Sequence, residues 1–338
     1  MKSNRKINSF SFILSTLVAF ILVSVLLFSI VQAQEKIVLK YGHLMATTHN
    51  LQIVGEWMKK ELAERTNDRV ELKIYPNAVL GNETEMVEGC RIGTLDMTPT
   101  GGPLGAWVEK IRVVDMPYVI ESYEHFKRCF VDPGPVGKEL AGEILKEADL
   151  RVLGWFAQGF RITTCRTKSI MKLEDFKGVK IRTHENPLVV ATFRALGAEA
   201  IPMAFGEVYT SLKTGVIDAM ESPASTIGAM RFCEVAPYIS HTDHFFLLTA
   251  LVIGEKKFNS LPEDIKKVVL DVGKESQYVM LDALEENIQL GLSQMRALET
   301  LETWPDLEPF REAVKPVVKE YGEKYGVTDL LEVMKSLR

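Results

Sequence analysis

The chain of 338 residues lacks the short motifs that mark most enzymes and nucleotide-binding proteins. It has no GxSxG nucleophile elbow, no GxGxxG after its first strand, and no HExxH pair of metal-binding histidines. The glycine pair Gly101-Gly102 is not followed by the lysine and hydroxyl residue of a phosphate-binding loop. These absences argue against the common hydrolases, dehydrogenases and zinc proteases, and we expect neither a cofactor nor a metal.

Cysteine is also scarce, with four residues at Cys90, Cys129, Cys165 and Cys233. None forms a CxxC pair, and none is spaced with histidines as in a zinc site. In an oxidising compartment they could pair, whereas isolated cysteines on helical faces are more often small buried residues. The sequence leaves both interpretations open.

Long apolar runs are absent except at the N-terminus, where Phe12 to Val31 carries no charge. Lys2, Arg5 and Lys6 precede this run, and Val31-Gln32-Ala33 offers the small residues that a signal peptidase accepts. The pattern predicts a signal peptide over residues 1–33 and export to the periplasm. An uncleaved membrane anchor is the alternative, because the run is long enough to cross a bilayer.

Excess positive charge is missing as well. The chain carries 40 basic and 45 acidic residues, a net charge of −5. Since residues 1–33 hold three basic residues and no acidic one, the remainder has 37 against 45, or −8. Such an acidic protein is a poor partner for nucleic acid or for an anionic membrane surface.

What is present is an alternation of strand-like and helix-like segments, which predicts an α/β protein with parallel sheets and covering helices. The strand-like segments are Ile37–Tyr41, Val70–Tyr75, 95–97, Val152–Phe156, Ile162–Cys165, Val179–Arg182 and Val216–Met220. Their number and the chain length indicate two lobes. We expect the chain to cross between them near Gly159 and again near Phe245–Leu251, which leaves a cleft between facing strand ends.

The helical period continues without a proline from Glu263 to about Leu298, interrupted only by Gly273 and Gly291. A single helix of that length would extend about 50 Å and lie across both lobes. The alternative is two ordinary helices broken at a glycine.

The leading candidate for a ligand contact is Arg182, at the end of the strand Val179-Lys180-Ile181. Open α/β sheets bind ligands at the carboxyl ends of their strands, and a guanidinium matches a carboxylate with two parallel hydrogen bonds. Arg161 follows the Gly159-Phe160 turn and could grip the same anion. Phe205 could cover an apolar part of the ligand or could be a core aromatic residue.

The segment from Val38 to about Tyr321 resembles a solute-binding protein of the tripartite ATP-independent periplasmic (TRAP) transporters, of the DctP type. The matching blocks are YPNAVLGNE at 75–83, GTLDM at 93–97, GFR at 159–161, GVKIR at 178–182, PMAFGEVY at 202–209 and TGVIDAMESP at 214–223. Several ordered blocks at this spacing make the resemblance specific.

The resemblance implies a two-lobed fold like that of periplasmic binding proteins, with crossing strands and a long helix that spans both lobes. It places residues 36–158 and about 247–285 in one lobe, residues 159–246 and about 286–315 in the other, and 316–338 in a helical tail. It also implies a monomer that closes on an organic acid and delivers it to a membrane permease driven by an ion gradient.

In this family Arg182 matches the arginine that grips the ligand carboxylate, and Arg161 matches a second, more variable position. Ser222 stands where many members carry an asparagine, while Gly101 and Leu44 replace a glutamate and an asparagine of relatives that bind sialic acid. These departures argue against a ligand with many hydroxyl groups, because each would need a buried partner.

We further expect Trp155 and Phe205 as apolar walls, and Gln158, His43 and Ser222 as weaker polar contacts. A dicarboxylate, a 2-oxo or 2-hydroxy acid, and an aromatic acid all remain candidates for the ligand. Two other functions are weighed against transport. One is an exported enzyme that uses Glu207 or Glu221 as a base, and the other is a membrane-tethered receptor for signalling.

Overall fold

The computed structural model describes residues 36–131 and 134–338, so the predicted signal peptide lies outside the described residues. Strands and helices alternate along this chain, as predicted. The strands are β1 Ile37–Gly42, β2 Val70–Tyr75, β3 Met97–Thr100, β4 Leu150–Cys165, β5 Lys180–Thr183, β6 Glu199–Pro202, β7 Ala219–Pro223, β8 Tyr238–Ser240, β9 Phe246–Gly254 and β10 Leu301–Thr303.

The α-helices surround these strands and confirm the α/β class. They are α1 Asn50–Arg65, α2 Glu83–Ile92, α3 Tyr123–Phe130, α4 Pro135–Ala148, α5 Pro187–Ala195, α6 Val208–Thr214, α7 Ala224–Ala229, α8 Glu255–Ser260, α9 Glu263–Asp282, α10 Leu284–Arg296, α11 Glu308–Lys324 and α12 Thr328–Ser336. None of the described helices is both long and apolar enough to span a membrane.

The strands follow the order β2-β1-β3-β9-β4-β7-β5-β6, with β8 on β4 and β10 on β8. Parallel pairs join β1 to β2 and β3, and β5 to β6 and β7. We call the part built on β1–β3 the first lobe and the part built on β5–β8 and β10 the second lobe. The residue boundaries proposed from the sequence remain a prediction.

Strand β4 joins the two lobes. Its residues 150–160 pair with β9, and its residues 161–165 pair with β7 and β8. The register of this pairing shifts between Val152 and Gly154 and again between Ala157 and Gly159. Gly159 has a φ of +108°, a backbone conformation that residues other than glycine rarely adopt. The segment around Gly159 therefore runs from one lobe into the other within one strand, as expected.

The predicted long helical stretch is helical from Glu263 to Arg296, and its interruption falls at Ala283 rather than at a glycine. Both glycines lie inside helices that approach another backbone closely. A Cβ on Gly273 would lie 2.5 Å from Leu153 Cβ, and one on Gly291 would lie 2.3 Å from the Ala224 carbonyl oxygen. Helix α9 packs on the first lobe and α10 on the second, so the stretch spans both lobes as two helices.

The cores of the lobes are apolar and well buried. All four cysteines lie buried as free thiols, which decides the question that the sequence left open. The C-terminal helices bridge the lobes, because Phe310 and Val314 of α11 join the second-lobe core while Val317 packs with first-lobe residues.

Candidate ligand-binding site

A cavity of about 100 Å³ lies between the two lobes, where the ends of several strands face each other. Residues of both lobes line it, and they include two arginines, two carboxylates and a histidine. The lining residues are Leu44, Met45, Leu51, Glu83, Pro99, Gly101, Gly102, Pro103, Asp115, Gln158, Arg161, Arg182, His184, Phe205, Ser222, Thr226, Leu247 and Thr249.

Arg182 lies on β5, between β6 and β7, and only 4% of its surface is exposed. Its Nε and Nη2 donate to the Met203 carbonyl oxygen at 3.0 and 2.9 Å, and its guanidinium lies 5.7 Å from the centre of the Phe205 ring. No described carboxylate forms an ion pair with it. Burial lowers the pKa of Arg182 to about 10, since a buried cation loses its hydration.

Arg161 lies on β4 in the same cavity, and its charge is already neutralised. Its Nε donates to Glu221 Oε2, and its Nη2 donates to Glu221 Oε1 at 2.7 Å. Nη2 also donates to the Glu221 carbonyl oxygen at 3.1 Å. Glu221 is fully buried. This forked pair is the geometry in which arginine binds a carboxylate most strongly.

A chain of hydrogen bonds continues from this pair within the second lobe. His244 Nε2 lies 3.3 Å from Glu221 Oε2, while its Nδ1 contacts Thr242 Oγ1 at 2.8 Å. Thr242 in turn contacts Thr163 Oγ1 at 3.0 Å. Burial would raise the pKa of Glu221, but Arg161 and the hydrogen bond to His244 outweigh it and lower the pKa to about 2.

Two carboxylates of the first lobe face the same cavity. Glu83 begins helix α2 and accepts hydrogen bonds from Thr100 Oγ1 and the Gly101 N–H, both at 3.0 Å. Burial raises the pKa of Glu83. Asp115 accepts from Asn186 Nδ2 at 2.7 Å, and His184 Nε2 lies 3.5 Å from the same oxygen. The cavity is therefore lined by acceptors as well as by the two arginines.

Of the seven residues predicted from the sequence to contact the ligand, five line the cavity, namely Arg182, Arg161, Phe205, Ser222 and Gln158. The structure thus brings together the two arginines, which lie on different strands. Ser222 and Gln158 add polar groups, and Gln158 Nε2 donates to Thr249 Oγ1 at 3.2 Å.

Trp155 and His43 do not line the cavity, which corrects the sequence expectation. Trp155 belongs to the first-lobe core, with its ring 5.3 Å from that of Phe130, because the irregularity after Ala157 changes which face of β4 meets the cavity. His43 is fully buried, and its Nε2 lies 3.1 Å from Gln52 Oε1.

Sequence reasoning missed several lining residues, above all Glu83 and Asp115. For Glu83 a signal existed, because the Asn82 capping box places it in the first turn of a helix that follows a strand end. Asp115 ends the short 3-10 helix Glu109–Asp115 and carried no such signal.

The architecture defines a class first. A cavity that lies between two α/β lobes and is lined by both apolar and polar side chains is typical of ligand-binding proteins. Among the described residues there is also no group of three or more histidines, cysteines or carboxylates that could hold a metal ion.

The family follows from the comparison with known proteins. The family model for bacterial extracellular solute-binding protein, family 7 (DctP), matches residues 41–324. The chain belongs to this family and is a solute-binding protein of the TRAP type, as the sequence motifs predicted.

Related proteins match most of this chain in sequence and in structure. A solute-binding protein of Roseobacter denitrificans, RD1_1052, is 33% identical over 75% of this chain and 78% of its own length. Its crystal structure with bound L-galactonate matches with a TM-score of 0.83 at 30% identity, covering 90% of this chain and 99% of that one.

Two further relatives are described with different ligands. A Chromohalobacter salexigens protein with bound D-glucuronate matches with a TM-score of 0.85 at 27% identity, over 89% of this chain and 100% of that one. The C4-dicarboxylate-binding periplasmic protein DctP of Rhodobacter capsulatus is 31% identical over 88% of this chain and 90% of its own.

Proposed function

We propose that this protein binds a monocarboxylic sugar acid, whose carboxylate takes the place of the missing counter-ion of Arg182. The observation that carries the proposal is a buried guanidinium that contacts a carbonyl oxygen but no carboxylate among the described residues. A buried charge without a partner is costly, so an entering carboxylate gains both a charge partner and a hydrogen-bond fork.

The hydroxyl groups of such an acid would find acceptors on the opposite wall. Glu83 and Asp115 supply carboxylate oxygens there, and Gln158 and Thr249 supply neutral polar groups. This revises the expectation that Leu44, Gly101 and Ser222 disfavour a ligand rich in hydroxyl groups, because the partners come from other residues.

The same carboxylates argue against a second acid group on the ligand. A dicarboxylate anchored on Arg182 would bring its other end towards Glu83 or Asp115, where like charges repel. The bound L-galactonate and D-glucuronate of the two solved relatives support the choice of a sugar acid.

Arg161 would act as a second contact with little free charge, since Glu221 already neutralises it. Phe205 would pack against the carbon skeleton of the ligand beside Arg182. The arrangement separates one strong anchor from a wall that orients the rest of the molecule.

The binding step would serve uptake. Export by a signal peptide over residues 1–33, action as a monomer in the periplasm and delivery to a TRAP permease all belong to this proposal, supported by family membership. Measuring the mass of the exported protein tests cleavage near Ala33. An intact N-terminus would favour the tethered receptor instead.

Catalysis is not part of the proposal. Glu221 is a poor base because its pKa is lowered to about 2, and Glu207 lies exposed outside the cavity lining. NMR spectra of L-galactonate and D-glucuronate incubated with the protein should show no new resonances. Appearance of a product would favour the exported enzyme.

The ligand class is tested by thermal shift and calorimetric titration with L-galactonate, D-glucuronate, succinate and phenylacetate. A ligand that binds only the folded protein raises its melting temperature. We expect one or both sugar acids to bind most tightly. Tighter binding of succinate or phenylacetate would refute the sugar-acid assignment but not the anchoring role of Arg182.

A further inference from the structure

A second, smaller cavity lies where the N-terminal end of α1 in the first lobe meets α7 and α10 of the second lobe. Its volume is about 10 Å³. Most of its lining side chains are polar: the residues are Thr48, His49, Asn50, Ser225, Ala229, Asn287, Leu290, Gly291 and Gln294. It is separate from the ligand cavity, since the two share no lining residue.

Three polar atoms of the residues that line this small cavity have no hydrogen-bond partner within the described parts of the chain: Asn50 Oδ1, Asn50 Nδ2 and Ser225 Oγ. Asn50 is 0% exposed and Ser225 is 6% exposed. A buried polar atom without a partner costs about 1–3 kcal/mol, so three such atoms in one place require an explanation.

The size and chemistry of the cavity match one water molecule. A buried water needs about 10–15 Å³ and two to four polar partners. Asn50 offers both a donor and an acceptor, and Ser225 offers a hydroxyl that can do either. Because Asn50 is in the first lobe and Ser225 in the second, a water bound to both would connect the lobes.

We propose that one ordered water occupies this cavity and, together with a direct hydrogen bond from His49 to Thr226, latches the two lobes together. The assignment goes beyond ligand binding, because it concerns a water site that stabilises the closed arrangement from outside the ligand cavity.

The direct bond of the latch has a defined direction. His49 Nδ1 accepts from the Leu51 N–H at 3.2 Å, so the neutral ring carries its proton on Nε2. Nε2 then donates to Thr226 Oγ1 at 3.3 Å, across the lobes. Thr226 also lines the ligand cavity, which places the latch next to the bound acid.

The second-lobe side of the latch is tightly packed. Helices α7 and α10 approach so closely that a Cβ on Gly228 would lie 2.8 Å from Gly291 Cα. Ser225 and Thr226 lie on α7 and therefore move together with the second lobe. When the lobes separate, Asn50 and Ser225 become hydrated independently, so the bridging water stabilises only the closed form.

The test measures how fast the ligand leaves. Asn50→Leu and Ser225→Ala each remove a partner of the water and should speed the release of L-galactonate about 3- to 10-fold in stopped-flow experiments. Association should change little. The matched control Ser293→Ala, an exposed serine on α10, should release at the wild-type rate.

The double variant separates a shared water from two unrelated effects. If both residues act through one water, combining Asn50→Leu with Ser225→Ala should cost little more than either alone. Additive effects, or single variants that release as slowly as the wild type, would overturn the latch. A crystal structure of the closed protein should show the water, and a dry cavity would also refute it.

The kinetic arm rests on the proposed function, because L-galactonate is the probe, with D-glucuronate as the substitute if only that acid binds. A wild-type protein that binds neither acid rejects the proposed ligand class. The closed crystal structure decides the water independently of which acid is bound.

Discussion

Arg161 and Arg182 are both buried and line one cavity, yet their surroundings differ. Arg161 forms a forked ion pair with Glu221, and despite the opposing effect of burial the neighbouring carboxylates raise its pKa. The Arg182 guanidinium donates to a carbonyl oxygen and pairs with no carboxylate among the described residues, and burial lowers its pKa to about 10.

The difference shows how one site can combine stability with binding. The region around Arg161, Glu221 and His244 is electrostatically complete without a ligand, so it serves as a fixed wall. The region around Arg182 is incomplete, so it gains most from an anion that arrives from outside.

The largest expected effect comes from breaking the complete region. Glu221→Gln leaves Arg161 buried without its counter-ion and should lower the free energy of unfolding by about 3 kcal/mol or more. Urea denaturation of the ligand-free protein measures it. The control Glu207→Gln, on an exposed residue, should stay within about 0.5 kcal/mol. Equal stability of the two variants would show that the pair contributes nothing to the fold.

A change in the incomplete region should affect binding instead. Arg182→Lys keeps the charge but loses the fork, so affinity for the sugar acid that binds should fall about 100-fold, while the protein still folds. Titration calorimetry and circular dichroism measure the two properties. Arg194→Lys, on the exposed face of α5, is the control. Unchanged affinity would remove Arg182 from its role as anchor.

Glu83 sharpens the comparison, because it faces the arginines from the first lobe. Glu83→Gln keeps an acceptor for the Gly101 N–H but removes the charge, so L-galactonate should bind about 10-fold more weakly. Succinate should bind better than to the wild type. The control Glu85→Gln retains the capping box and should change neither affinity. A parallel loss for both acids would contradict the charge-based selectivity.

The smallest effect is a pH dependence of stability. The pKa of Glu221 falls from 4.5 to about 2 on folding, so its contribution is present above pH 4.5 and is lost as the pH falls towards 2. Lowering the pH from 7 to 3.5 should therefore reduce the contribution of this carboxylate to the free energy of unfolding by about 1 kcal/mol. Urea denaturation at both pH values should show that decrease in the wild type and a smaller one in Glu221→Gln. Identical decreases would assign the acid sensitivity to other carboxylates.

Much of the local structure could be predicted from the sequence. Asn82 and Glu85, three residues apart, form a capping box, and Gly93 ends the same helix at a φ of +88°. Arg182 lies on a short strand, as the apolar run before it indicated. Caps and strand patterns depend on neighbours a few residues away, so the sequence displays them directly.

The pairing of Arg161 with Glu221 could not be read in the same way. Antiparallel pairing of β4 and β7 places Glu221 opposite Thr163, and Arg161 reaches it diagonally on the same face. The two residues are 60 positions apart, and a shift of one residue in the register would turn Glu221 away.

The amino-acid pattern alone therefore established the α/β class, the family and an arginine at a strand end that suits an acid. The folded chain settled which of the two arginines is already neutralised, placed Trp155 in the core, and added Glu83 and Asp115 to the cavity. The reason is range: caps and periodicity act within a few residues, whereas charge pairing depends on sheet register and on how the two lobes meet.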